Sequence, residues 1–235
     1  IYRKYRPKVL EDLLGQEHIV KVLKNAARQN RLAHAYLFSG PRGTGKTTAA
    51  RLVAKIANCL TRQKQLEKVQ APKGGRSPDY NVGSEPCNHC DRCLAIDEGR
   101  ALDVIEIDAA SNRGIDEIRN LKESIRLVPS SYPYKVFIID EAHMLTREAF
   151  NALLKTLEEP PAHALFILAT TEYEKVPVTI SSRTQKFRFQ KLAIDEIVKK
   201  LNKIVAVEKI KVDDDALELI AAVAEGSLRD AESLL

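Results

Sequence analysis

The sequence predicts an α/β protein: a three-layer parallel sheet carrying a P-loop, followed by a small all-α domain. Three observations carry this. A phosphate-loop pattern lies between an apolar run and a helical run. A second apolar run ends in two adjacent acids. Strands alternate with helices until Leu192, after which only helical periodicity follows.

The elements follow in order. From Gln16 to Arg28, apolar residues at Ile19, Val20, Leu23, Ala26 and Ala27 make one helical face. Ala35 to Phe38 is a short apolar run suited to a buried strand. Gly40-Pro41-Arg42-Gly43-Thr44-Gly45-Lys46-Thr47 then fits G-x-x-x-x-G-K-S/T at every constrained position. Its glycines let successive backbone N–H groups curl around one anion. Lys46 brings a cation to the outer phosphates and Thr47 a hydroxyl to Mg²⁺. Thr48 to Ala57 reads as the helix whose N-terminus faces those phosphates.

Residues 61–86 are polar and punctuated by Pro72, Gly74-Gly75, Pro78, Gly83 and Pro86, so a loop or insertion is expected. Asp103 to Asp108 is a second strand, and Ile115 to Leu127 a helix with Ile115, Ile118, Leu121 and Ile125 on one face. Lys135 to Ile139 is a strand apolar on both faces, and Asp140-Glu141 emerge at its end, where open α/β sheets bind ligands. Asp140 suits the Mg²⁺ shell and Glu141 the attacking water. Phe150, Leu153, Leu154 and Leu157 form a helical stripe that Pro160-Pro161 ends. Ala164 to Thr171 is a further buried strand. Helices over Ile194–Val207, Asp214–Ala224 and Leu228–Leu235 make the terminal all-α domain. The division expected is 1–190 and 191–235.

Cys87-Asn88-His89-Cys90-Asp91-Arg92-Cys93 sets three thiols at the spacing with which one chain wraps a tetrahedral ion. Zn²⁺ needs a fourth ligand: Cys59 is the leading candidate and His89 its rival. With four cysteines in all, a reducing compartment and a structural metal fit better than disulfides.

The net charge of +5 is uneven: residues 1–80 hold 17 Lys/Arg and 5 Asp/Glu, whereas 81–235 hold 20 and 27. A basic N-terminal part suits phosphate ligands or nucleic acid, and equally a solvated helix surface. No run reaches the apolar length of a membrane span and no charged-then-apolar leader precedes the first motif, so a cytoplasmic protein is expected. The chain opens without Met and ends inside a helical pattern, which reads as a fragment.

Taken together, these motifs resemble the AAA+ clamp-loader ATPases, most closely the gamma/tau type of bacterial DNA polymerase III. Tyr5-Arg6-Pro7-Lys8 and Gly15-Gln16-Glu17-His18 are similar to that family's N-terminal segment, Gly40 to Thr48 to its P-loop, and Asp140-Glu141-Ala142-His143 to its Walker B ending. Leu168-Ala169-Thr170-Thr171-Glu172 resembles the sensor 1 strand. Ser182-Arg183 resembles the arginine-finger motif, with Thr184 where the family carries cysteine. Gly226-Ser227-Leu228-Arg229-Asp230 resembles the sensor 2 helix. The cysteine segment is similar to the family's zinc module, here about 59–93, although the loop from Cys59 to Cys87 is longer than usual.

The resemblance implies ATP held between an α/β domain and a helical lid. Thr171 would assist the attacking water, Arg229 would reach the γ-phosphate, and Arg183 would act on ATP in a neighbouring subunit. It further implies a ring-like hetero-oligomer with other clamp-loader subunits, a sliding clamp and primed DNA. Ser111-Asn112-Arg113-Gly114 before the Ile115 helix is a candidate phosphate-backbone site, or equally a capped helix start with an exposed arginine. A different AAA+ DNA-processing motor, a purely structural clamp-loader subunit and a zinc-bearing nucleic-acid module with a vestigial ATP site are the competing readings.

Overall fold

The computed structural model describes residues 1–68, 82–111, 121 and 123–235. Five strands, β1 (Ala35–Ser39), β2 (Val104–Asp108), β3 (Lys135–Asp140), β4 (Ala164–Thr170) and β5 (Gln185–Arg188), form one sheet in the order β2-β3-β4-β1-β5. Every neighbouring pair is parallel. The registers Ser39↔Thr170 and Asp108↔Asp140 bring the C-terminal ends of β1 to β4 together along one edge of the sheet.

Alternation along the strands builds two cores. Tyr36, Phe38, Val136, Ile138, Leu165 and Ile167 face α1 (Glu17–Arg28) and α2 (Lys46–Asn58). Leu37, Phe137, Ile139, Phe166 and Leu168 face the later helix α5 (Arg147–Glu158), whose start is capped by Thr146 Oγ1 accepting from the Ala149 N–H at 3.2 Å. Both faces being covered explains why β1, β3 and β4 read as continuous apolar runs. Rings seal each side: Phe137 stacks on Phe166 at 5.2 Å, and Tyr36, Phe38, Phe187 and Phe189 cluster on the other face.

Between β1 and β2 lie α3 (Leu60–Lys68) and α4 (Asp91–Asp97). The expectation of a loop over 61–86 is therefore corrected at its start: 60–68 is helical, while 69–81 lie outside the described residues. The helix lacks an apolar stripe and is anchored by buried Arg62, which donates to the Ala27 carbonyl. Of the helix expected over Ile115–Leu127, residues 115–120 and 122 are likewise outside, 123–126 are helical, and Leu121 and Ile125 are buried. Asp103 precedes β2 rather than opening it. Its carboxylate accepts the N–H groups of Ser130, Ser131 and Tyr132, which hold it below the ordinary range against the opposing effect of burial.

After a short helix α6 (Val178–Ser181) and β5, the chain passes into α7 (Ile194–Glu208), α8 (Asp214–Val223) and α9 (Leu228–Leu234). These share a third core of Leu192, Ile197, Leu201, Leu217, Ala221 and Ala231, against which Leu14 packs. Buried Gln16 ties the N-terminal segment to this crossover. Its Nε2 donates to the Gln190 carbonyl at 2.8 Å and its Oε1 accepts the Gln190 N–H at 3.0 Å. No helix among the described residues is long and apolar enough to cross a membrane.

Candidate nucleotide site and cysteine cluster

The loop between β1 and α2 turns at three glycines with positive φ, and two have reasons beyond the turn. At Gly40 (φ 143°) a Cβ would stand 2.4 Å from the Phe189 carbonyl oxygen. At Gly43 (φ 73°) it would stand 1.8 Å from Ser227 Oγ. Glycine thus lets β5 and the head of α9 close on the phosphate loop. Ser227 also caps α9, accepting the Asp230 N–H at 3.2 Å. One residue therefore fixes both the lid helix and its seat on the loop.

Lys46, buried at the start of α2, donates to the carbonyls of Gly40 and Pro41 at 2.8 and 2.7 Å. Burial pushes its ammonium down from the ordinary lysine value, and Glu141 and Asp140 oppose that shift. Thr44 closes the loop by donating to the Pro41 carbonyl. Thr47 Oγ1 donates to Asp140 Oδ2 at 2.7 Å, joining the loop to the end of β3. A hydroxyl and a carboxylate held this close are hard oxygen ligands of the kind Mg²⁺ takes together with substrate phosphates.

Glu141 follows in the left-handed region (φ 48°), and its side chain reaches the end of β4. There Thr171 Oγ1 donates to Glu141 Oε2 at 3.2 Å. His143, quoted in the sequence only as part of a motif, enters the same network. Its Nδ1 lies 3.0 Å from Thr170 Oγ1 and 3.4 Å from Glu141 Oε2, and its Nε2 3.2 Å from Glu172 Oε1.

The phosphate loop, Asp140 and Glu141 line a cleft between the sheet edge, the N-terminal segment and the lid, whereas Thr171 and His143 contact Glu141 without bordering it. Arg42, Gly43, Thr44, Gly45, Lys46, Thr47, Thr48, Asp140, Glu141 and Arg229 all border it; Gly40 and Pro41 stand behind as the carbonyls that hold Lys46. Arg229 comes from the first turn of α9, its guanidinium 5.3 Å from the Tyr2 ring centroid. Sequence reasoning missed Tyr2, Arg6 and Glu232 as cleft residues. Arg6 is half-buried and is pushed below the ordinary arginine value by that burial and by Arg51 beside it. A cleft with Lys46, Arg6, Arg42 and Arg229 on its walls is built for a polyanion.

Arg183 is not in the cleft. It follows α6, with Nη1 donating to the Thr179 carbonyl and Nη2 to Glu158 Oε1, each at 2.6 Å, on an accessible surface. Of the candidate Ser111–Gly114 segment, residues 112–114 lie outside the described residues, and Ser111 Oγ donates to Asp108 Oδ2.

Cys59, at the end of α2, joins Cys87, Cys90 and Cys93, with all four Sγ atoms within 4.8 Å of one another. His89 turns its Nδ1 to the Cys87 carbonyl at 2.7 Å, on the exposed side. Backbone N–H groups of Cys87 and Cys90 point at the sulfurs of Cys59 and Cys87 at 3.4 Å. The crowding makes deprotonation competitive: the Cys93 thiol holds Cys59 down, and Cys59 in turn pushes Cys93 up. Four soft ligands converging from two segments have the donor set of a structural Zn²⁺ site. The cluster also has a neighbour: buried Lys55 Nζ donates to both carboxylate oxygens of Asp97, at 2.8 and 2.7 Å, and so locks α2 to α4.

The sheet order, the phosphate loop after β1, the acids after β3 and the helical lid define a P-loop ATPase fold of the AAA+ class. The Thermotoga maritima RuvB Holliday junction branch migration motor has this fold, superposing with a TM-score of 0.63 over all of this chain and 64% of that one at 19% identity. Sequence comparison narrows the class. Residues 15–193 match the model for the DNA polymerase III delta subunit, and 196–235 that for the ATPase lid domain of the DNA polymerase III clamp loader subunit. The DNA polymerase III subunit tau of Bacillus subtilis is 52% identical over 235 residues, covering all of this chain and 38% of that protein. The tau subunit of Escherichia coli is 46% identical over 232 residues, covering 99% of this chain and 33% of that protein. The chain belongs to the DNA polymerase III clamp-loader subunit family, gamma/tau type, and spans about a third of the length of these curated relatives.

Proposed function

We propose that this chain is the ATP-binding and ATP-hydrolysing part of a clamp-loader motor subunit that helps place a sliding clamp on primed DNA. Residues 1–190 would form the nucleotide-binding domain, with the cysteine module at about 59–93, and 191–235 the lid. The observation that carries the reading is the Thr47–Asp140 hydrogen bond, with Lys46 and Glu141 on either side and Arg229 descending from the lid into the same cleft.

Phosphoryl transfer asks a protein mainly for positioning and charge. Lys46 swings from the loop carbonyls to the β- and γ-phosphates. Thr47 and Asp140 would hold Mg²⁺, which supplies charge neutralisation between the phosphates when bound. Glu141 accepts the proton of the attacking water while Thr171 fixes the direction of its carboxylate. Arg229 meets the γ-phosphate and so makes lid position depend on it. Arg183, held outside its own cleft, suits a finger directed into the next subunit of a ring-like hetero-oligomer. Cys59, Cys87, Cys90 and Cys93 would hold one Zn²⁺ as a structural tie.

The test is steady-state ATP hydrolysis by the full-length subunit, alone and with partner subunits, clamp and primed DNA. Turnover should be slow alone and rise only when all are present. Unchanged turnover in the full mixture would refute the motor reading in favour of a structural subunit.

A further inference from the structure

Two kinds of residue line the cleft. One set is polar: the phosphate loop, Asp140 and Glu141, with Tyr2, Arg6, Asp12 and Arg229 beside them. The other is apolar: Pro7, Leu13 and Leu14 from the N-terminal segment and Leu192 and Leu228 from the lid. A nucleotide whose phosphates sit on the loop leaves its base to the apolar residues, which favour a purine ring. One lining residue is out of character. Glu232 lies one helical turn beyond Leu228 on α9, borders the cleft and is only 5% exposed. Among the described residues its Oε1 is buried without a hydrogen-bond partner. Lys200 and the Ile1 amino group attract it, and burial outweighs both, raising its carboxyl to about 7. A buried acceptor left unpaired is destabilising, so the position makes physical sense if a bound molecule supplies the donor.

We propose that Glu232 is the base-reading residue of this cleft, its carboxylate accepting a hydrogen bond from the exocyclic 6-amino group of adenine. The inference rests on the nucleotide reading above and adds the specificity element to it. Adenine presents an N–H donor at position 6. Guanine presents a carbonyl oxygen there, which would set two acceptors against each other in a low-dielectric site. The apolar wall packs against any base. Tyr2 and Asp12 also border the cleft, and what sets Glu232 apart from them is its buried, unpartnered oxygen.

The experiment is a two-by-two comparison on the full-length subunit at about pH 8, where the carboxyl is ionised. Dissociation constants are measured for ATP and for purine riboside triphosphate, which lacks only the 6-amino group, with wild type, Glu232→Leu and Glu232→Gln. Wild type should bind ATP about tenfold more tightly than the amine-free analogue, the size of one hydrogen bond to a charged acceptor. Glu232→Leu should bind the two within about twofold of each other, because the acceptor is gone. Glu232→Gln, which keeps a carbonyl acceptor, should retain about threefold discrimination. Thermal melting checks that both variants fold; removing a buried carboxylate should not destabilise the chain.

Equal binding of the two nucleotides by wild type, or undiminished discrimination in Glu232→Leu, would overturn the proposal. So would tighter binding of GTP than ATP by wild type. A preference for ATP over 2′-deoxy-ATP that disappears in Glu232→Leu would also overturn it, by assigning Glu232 to the ribose. Failure of the underlying nucleotide reading looks different: ATP would then bind wild type no better than Lys46→Ala.

Discussion

Thr171 and Glu141, thirty positions apart in the chain, share a 3.2 Å hydrogen bond across the ends of β4 and β3. Glu141 reaches it through a left-handed backbone turn that a non-glycine residue adopts at some cost. His143, nearly buried, touches the same carboxylate and the adjacent Thr170 hydroxyl. The Glu141 carboxylate is therefore aimed by its neighbours.

The first prediction follows from that aim. A positioned general base is worth about 10²–10⁴ in rate, so Glu141→Gln should lower kcat by about that factor while ATP affinity stays within about threefold. Thr171→Val keeps the shape and removes the hydroxyl, and a tenfold or larger loss in kcat, at unchanged KM, is expected. Lys46→Ala should instead abolish productive binding. If Thr171→Val turns over like wild type in the assembled loader, the hydrogen bond has no part in catalysis.

Much of this site was legible because its signals are local. The phosphate loop is eight contiguous residues, and β1, β3 and β4 are apolar runs whose ends carry the acids and Thr171. What the sequence hid is long-range. β5 is an edge strand, Gln185-Lys186-Phe187-Arg188, with only Phe187 buried, so it lacks the apolar run of its neighbours. α3 has no stripe because a buried arginine anchors it. Tyr2, Arg6 and Glu232 become cleft residues only when the N-terminal segment and the lid close over the loop. Glu232 in particular occupies what reads locally as the polar position of a surface helix.

Metal content gives the second prediction. The subunit should carry one equivalent of Zn²⁺ on the four cysteines, and Cys90→Ser should lower its retention. Removing the metal should unfold the 59–93 module locally, while the Lys55–Asp97 pair keeps α4 on α2 and the P-loop intact. Hydrogen exchange on apo and metal-loaded protein reads this directly. A reduced, undegraded sample without metal, or one with an iron–sulfur absorption band, would rule the zinc reading out.

The third prediction concerns pH and stability. Glu232 has a folded-state value of about 7, above the 4.5 of an exposed glutamate. The folded protein therefore holds this proton more tightly than the unfolded chain. Its contribution is intact below pH 4.5 and is lost as pH rises through 7, by at most about 3 kcal/mol at 1.36 kcal/mol per unit. Glu232→Gln should lack this loss. Denaturant unfolding of both proteins at a series of pH values should show the two stability curves diverging across that window. Parallel curves would mean that the carboxylate is solvated.

Arg183 supplies the last prediction. Its guanidinium is held by Glu158 and the Thr179 carbonyl, and it does not border its own cleft. An ion pair this exposed is worth about 0–1 kcal/mol, so giving it up for a neighbouring subunit's phosphate, as proposed above, would cost little. An arginine finger of that kind contributes about 10³–10⁵ in rate. Arg183→Ala should accordingly leave the ATP affinity of the isolated subunit unchanged and depress DNA-stimulated hydrolysis in the assembled loader. Mixing decides whether it acts across a boundary. Subunits with Glu141→Gln but intact Arg183 are combined with subunits with Arg183→Ala but intact Glu141. Interfaces that pair an intact Glu141 with a neighbour's Arg183 should recover activity that neither protein shows alone. If both assemble and no mixture recovers, Arg183 acts within its own subunit or through the Glu158 contact, and the trans assignment falls.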